Sequence, residues 1–227
     1  MSKIIRILFR GILLIVSAFS GCFCMVLMVQ GIAVDPVQKI GDEVRFPYRI
    51  PGTDIVVLTM VVTDSDVCVD NPHANMFNLA SILIKNEGQQ WVSQCEISLC
   101  TQDNTWCFEA TMLPPDSETL VLETNRQSYP QMPILTCKGT AEIFEPAPTE
   151  VLFENVDMQS FIVWNTGNAE IKELKIYYKT YYKEWNLYGE GVAFTHTVCN
   201  LEPGEKSLVF PRRYAGEYSK ILFAEVS

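Results

Sequence analysis

The sequence predicts an all-β protein, in which two tandem β-sandwich modules follow one N-terminal transmembrane helix. Three observations predict it. β-Branched and aromatic residues are plentiful, and glycine or proline interrupts the chain about every dozen residues, which is typical of short strands joined by turns. The outer part of the chain repeats itself once. An uncharged apolar run occupies residues 11–34 at the N-terminal side of both copies.

The apolar run predicts a membrane anchor. It is long enough to cross a hydrocarbon core of roughly 30 Å as one helix, which we expect at about Ile4–Ile32. Lys3, Arg6 and Arg10 precede the run, so residues 1–34 are predicted to be a cytoplasmic tail and a single transmembrane helix of the plasma membrane, with the rest of the chain extracytoplasmic. Two alternatives stay open: a cleaved signal peptide, and a lipoprotein with lipidated Cys22.

The charge distribution argues against nucleic acid as a partner. All 27 carboxylates follow residue 34, together with 14 of the 17 basic residues, so this part carries a charge of −13 (14 − 27). Such a surface repels phosphate backbones. We interpret the charge as a means of keeping an exported domain in solution.

The internal repeat defines the predicted modules. Ser81–Gly88 (SILIKNEG) aligns with Ser160–Gly167 (SFIVWNTG), and Met112–Leu122 aligns with Asn200–Phe210. We therefore predict module 1 at residues 66–144, a proline-containing linker at 145–150 and module 2 at 151–227, each a separate sandwich with no shared sheet. Residues 35–65 are predicted to be a juxtamembrane segment whose one strand, Ile55–Val62, joins the sheet of module 1.

A family resemblance follows from the second copy. Its pattern consists of Val163, Asn165, Gly167, Ile171, Leu174 and Ile176, and then Leu201, Pro203, Gly204, Glu205 and Leu208. This pattern resembles the immunoglobulin-like modules found in tandem on bacterial cell-surface proteins. The resemblance is looser in the first copy, where Asp116 replaces the glycine. It implies an adhesive, spacer or partner-docking module outside the membrane, and it carries over no catalytic residue.

The cysteines and one acidic string are the candidates for disulfide bonds and metal sites. Two disulfides are candidates, Cys100–Cys107 across a short turn and Cys68–Cys137 across module 1, while a buried unpaired cysteine is the alternative. The spacing of Cys95, Cys100 and Cys107 is no known zinc pattern, and an acidic string at residues 64–71 lacks the glycine and distal glutamate of a calcium loop. We expect no metal, no cofactor and no enzymatic activity, because no nucleophile and base are arranged as a catalytic pair would require.

The aromatic stretch that follows Ile176 supplies the predicted binding residues. In a strand, Tyr177 and Tyr181 lie on one face, and Trp185 and Tyr188 follow at the loop tip. We predict that these four residues bind a partner, although cross-strand pairing that only stabilises the sheet is an alternative. The first functional hypothesis is docking of an envelope protein, and the second is binding of a cell-wall polysaccharide. Coplanar exposed aromatics favour sugar, whereas an apolar patch with aliphatic residues favours protein.

Overall fold

The computed structural model describes residues 43–63 and 78–226. These residues form β-strands and two short 3-10 helices, Lys183–Trp185 and Gly216–Tyr218. The strands are β1 (Tyr48–Arg49), β2 (Ile55–Thr63), β3 (Leu79–Asn86), β4 (Trp91–Cys100), β5 (Thr105–Leu113), β6 (Ser117–Leu122), β7 (Thr136–Phe144), β8 (Val151–Asn155), β9 (Phe161–Asn165), β10 (Ile171–Tyr182), β11 (Leu187–Tyr188), β12 (Phe194–Leu201), β13 (Lys206–Val209) and β14 (Ser219–Val226). The predicted all-β class is confirmed for this part of the chain.

The first sandwich packs the strands β1-β2-β3-β6 against the sheet β5-β4-β7. Alternate side chains of both sheets meet in one core, as period-two apolar patterning requires. Strand β2 contributes Ile55, Val57 and Met60 to that core. The predicted strand at Ile55–Val62 therefore exists and pairs with β3. Because β2 is part of this core, the first sandwich begins before residue 66, the predicted start of module 1.

The second sandwich repeats this arrangement with a separate core. The sheet β13-β9-β8 packs against β10 and its two neighbours β12 and β14. Strand by strand, β8, β9, β10, β12, β13 and β14 take the pairings that β2, β3, β4, β5, β6 and β7 have in the first copy. The sandwich-like sheets are compatible with an immunoglobulin-like fold.

A buried asparagine fixes the same turn in both copies. Asn86 Nδ2 donates to the carbonyl oxygens of Gln90 at 2.9 Å and Leu113 at 3.3 Å, and its Oδ1 accepts from the backbone N–H of Gly88. Asn165 makes the equivalent bonds to residues Ala169, Leu201 and Gly167, at 2.9, 3.0 and 2.9 Å. Each side chain satisfies backbone groups that a strand end would otherwise leave buried and unpaired.

The expectation of two sandwiches with no shared sheet is wrong at one place. β11 pairs with the end of β10 and, in parallel, with β6 of the first copy through Leu187↔Glu118 and Tyr188↔Thr119. Strand pairing is thus continuous from β1 to β12. The extra residues of the second copy form this connection, because β10 is longer than β4 and its hairpin reaches the otherwise open edge of β6.

The predicted transmembrane helix at Ile4–Ile32 lies outside the described residues, as does the acidic string at 64–71. Within residues 43–63 and 78–226, no helix has the length and apolar character needed to cross a membrane.

Candidate docking surface

An apolar surface covers the outer side of the β13-β9-β8 sheet. We call it the apolar face and define it by Leu152, Ile162, Trp164 and Leu208, with Phe210 beside it just after β13. Leu152, Leu208 and Phe210 are 55%, 51% and 63% exposed. Large apolar side chains that gather in this way on a sheet are typical of interaction sites, whereas single ones need no explanation.

Strand alternation explains why these side chains point outward. In β9, Phe161 and Val163 are fully buried in the second core, so the intervening Ile162 and Trp164 must lie on the opposite side. In β13, Val209 is buried in the core and Leu208 faces out. Strand β9 is therefore apolar on both faces, although only one of them is covered by the sandwich.

Two charged residues lie on the apolar face. Glu154 pairs with Ile162 in the β8–β9 ladder, and Lys206 pairs with Trp164 in the β9–β13 ladder. The Lys206 ammonium lies 4.6 Å from the centroid of the Trp164 ring, within the range of a cation–π interaction. The face therefore offers an aromatic and aliphatic centre with one charge of each sign at its margins.

The four predicted aromatic residues do not share one open face. Tyr177 is 6% exposed and Tyr188 is 5% exposed, whereas Trp185 is 70% exposed. The Tyr177 ring stacks on Phe223 with centroids 4.6 Å apart, and its hydroxyl donates to Glu225 at 2.8 Å. The Tyr181 hydroxyl donates to Asn186 Oδ1 at 2.7 Å. Binding of a partner by these residues requires exposed side chains. Trp185 meets this requirement, but Tyr177 and Tyr188 do not.

Packing between the two sandwiches buries this side of β10. Trp91 and Phe144 of the first sandwich contact Phe223 of the second, each with ring centroids 5.4 Å apart. Further along the junction, the Thr111 N–H donates to the Gly191 carbonyl at 3.2 Å, and the Ala193 N–H donates to Thr111 Oγ1 at 2.9 Å. The aromatic stretch therefore forms a junction within the molecule more than it forms an external surface.

The junction encloses a lysine. Lys179 is completely buried on β10, and among the described residues its amine has no hydrogen-bond partner. Its nitrogen lies 6.0 Å from the centroid of the Tyr188 ring. Burial lowers the pKa of Lys179 from 10.5 to about 7. Burial likewise raises the pKa of Cys95 to about 12, so the thiol stays neutral.

The first candidate disulfide is not formed. Cys100 and Cys107 both have free thiols, because Cys100 pairs with Thr105 and Cys107 with Ser98 in the ladder, so the two cysteines are not opposite each other. Cys137 is also a free, buried thiol whose pKa burial raises to about 11. Its predicted partner Cys68 lies outside the described residues. The described part of the chain contains no group of three or more metal-ligating side chains.

A concavity lies at one end of the first sandwich. It has a volume of about 350 Å³ and is lined by residues that include Asp54, Asn86, Gly88 and Ile143. The buried polar group in its wall is Asn86, whose amide is already bonded to the turn. The Asn86 amide is therefore not available to a ligand, and we base no functional proposal on this concavity.

Comparison with protein-family models, with curated proteins and with solved structures finds no match to this chain. The residues of the apolar face are therefore the strongest indication of function. Sequence reasoning missed them because the segment that contains Ile162 and Trp164 served only to define the repeat. The available signal was a strand with apolar side chains on both faces, FIVWN, at a place where one face of a sandwich is open.

Proposed function

We propose that this protein is a non-catalytic, membrane-anchored component of the cell exterior whose second sandwich docks a protein partner. The apolar face carries the proposal. Leu152, Leu208 and Phe210 leave apolar area in water that a partner would remove, at about 25 cal/mol for each Å² buried. The aliphatic residues that surround Trp164 favour a protein surface over a sugar ring.

The proposed location rests on the sequence. The run at residues 11–34 follows Lys3, Arg6 and Arg10, and the acidic part of the chain begins after it. This order favours a cytoplasmic N-terminus and sandwiches on the outside of the cell. In the proposed arrangement the docking surface lies at the cell exterior, and the acidic charge keeps the exported sandwiches in solution.

Photo-crosslinking tests the proposed function. A photoreactive amino acid is introduced at position 152 or 208 of the full-length protein in its cells, and at Ile143 as a control. Ile143 is an exposed strand residue of the first sandwich, at 62% exposure. We expect discrete protein adducts from positions 152 and 208 that position 143 does not give. Equal adduct patterns at all three positions would overturn the proposal.

Polysaccharide binding is a second candidate, supported by the hairpin tip. Trp185 is exposed and its ring lies 5.8 Å from that of Tyr182. Two neighbouring aromatic rings at a loop tip are able to pack on a sugar. Under this candidate, Trp185→Ala releases the protein from isolated cell wall, whereas Leu208→Lys does not.

A further inference from the structure

The apolar face is built as two rows across three strands. The ladders place Leu152, Trp164 and Lys206 side by side in one row, and Glu154, Ile162 and Leu208 in the next. Strand spacing makes this patch about 10 Å wide and about 7 Å tall between its corner residues. Glu154 and Lys206 occupy opposite corners, and Leu152 and Leu208 occupy the other two.

This arrangement is complementary to itself. A two-fold axis that lies between two facing copies and follows the Leu152–Leu208 diagonal brings Glu154 of one copy opposite Lys206 of the other. The same rotation brings Trp164 opposite Ile162. In a two-fold symmetric interface, every contact occurs twice: if one residue of the first copy contacts a second residue of the partner, the same two residues also meet with the copies exchanged. One rotation thus satisfies both charges and both central apolar residues.

We propose that the partner on the apolar face is a second copy of this chain, related by that two-fold axis. This inference rests on the proposed docking function and names its partner. The diagonal axis makes the strands of the two copies cross at roughly 70°, near the orthogonal class of sheet packing. Leu152 and Leu208 then lie close to the axis, and Phe210 extends the contact beyond β13.

The size of the face sets the strength of the dimer. Three short strands on each copy bury less than about 1,200 Å² in total, which is the range of weak and transient contacts. The net charge of −10 also opposes the approach of two copies at low ionic strength. We therefore expect a dissociation constant of about 10 µM to 1 mM at about 0.15 M salt, where the Debye length is roughly 8 Å.

Energy transfer between donor-labelled and acceptor-labelled full-length protein measures the association. Glu154→Lys alone and Lys206→Glu alone each place like charges opposite each other twice in the dimer, so we expect each to weaken association about tenfold. An equal mixture of the two variants restores both opposite-charge pairs and associates as the wild type does. Leu208→Lys abolishes association, and Ile143→Lys leaves it unchanged.

The mixture is the decisive measurement. Failure of the two charge variants to restore each other, or dimers that persist in Leu208→Lys, would overturn the proposed pairing. A protein that stays monomeric up to about 1 mM would overturn it as well. If the crosslinks from positions 152 and 208 then contain a different protein, the dimer is wrong while the docking function stands. If those positions give no specific adduct, both are wrong.

Discussion

Replacing the buried lysine at the junction with methionine should stabilise the protein. Lys179 is fully buried and its amine has no hydrogen-bond partner in the described part of the chain. Below its lowered pKa, the folded state must hold an ammonium without a compensating charge. Methionine fills a similar volume and carries no charge, so Lys179→Met removes the desolvation cost and keeps most of the packing.

The expected effect is large. The fall in pKa from 10.5 to about 7 corresponds, at about 1.4 kcal/mol per pH unit, to a penalty on the order of 5 kcal/mol in the free energy of unfolding at acidic pH. At pH 7 the penalty is on the order of 4 kcal/mol. Imperfect packing of the new side chain reduces the gain, so we expect Lys179→Met to raise the free energy of unfolding by about 1 to 4 kcal/mol at pH 7.

The pH dependence has a definite sign. Between about pH 7 and 10.5 the unfolded chain binds a proton at Lys179 that the folded chain does not bind, so the stability of the wild type rises with pH in this window. Below pH 7 both states are protonated and the penalty is constant. From pH 7 to 8.5 we expect the wild type to gain on the order of 1 to 2 kcal/mol relative to Lys179→Met. We compare the two proteins no higher than pH 8.5, because unfolded thiols ionise near pH 9 and the raised pKa of Cys95 then lowers the stability of both proteins.

Urea denaturation of the full-length protein at pH 7.0 and 8.5 measures both effects. Lys172→Met, on the exposed side of the same strand, is the matched control and should change neither stability nor its pH dependence. The reasoning is refuted if Lys179→Met is less stable than the wild type at pH 7. It is also refuted if the wild type and the variant change equally between the two pH values.

Three further predictions concern the junction, the repeated turn and the hairpin tip. In denaturation experiments, Gly191→Ala should lower the free energy of unfolding by roughly 1 to 3 kcal/mol more than Gly204→Ala does. Both residues have positive φ, of 75° and 76°, but only at Gly191 would the new Cβ lie 2.8 Å from the Glu109 carbonyl oxygen. Asn165→Ala should cost about 2 to 4 kcal/mol because it leaves buried backbone groups unpaired, and Asn86→Ala should cost a similar amount; a loss below about 0.5 kcal/mol at either site would contradict the role of the turn. Trp185→Ala should leave the melting temperature within about 2 °C, since the side chain is 70% exposed, and the docking role predicted from the sequence requires it to weaken partner binding.

The fold was largely predictable because turn chemistry and alternation are local properties of the sequence. Asn86 and Asn165 identified equivalent strand ends, and the structure gives both the same hydrogen bonds. The strand at Ile55–Val62 was visible from its β-branched residues. Its place in the first core was not, because membership of a core depends on which strands pair across the chain.

The junction was not predictable from local pattern. Tyr177 and Lys179 alternate with Ile176 and Tyr178, and strand alternation alone predicts that one pair faces the core and the other faces solvent. In the structure all four are buried, because the first sandwich covers the second face of β10. Conversely, Trp164 lies next to a fully buried Val163, and nothing local to β9 tells which of its apolar faces stays open. Both errors concern which face of a strand is covered, and that depends on tertiary packing.

Crosslinking from position 152 in variant backgrounds tests the docking surface most directly. The photoreactive residue stays at 152, and the full-length protein carries Leu208→Lys, Ile143→Lys or no further change. Leu208 lies two strands away on the same face, whereas Ile143 is an exposed residue of the first sandwich. Docking through the apolar face predicts a specific protein adduct in the unchanged and Ile143→Lys proteins and its loss in Leu208→Lys. The same adduct in all three proteins would contradict it.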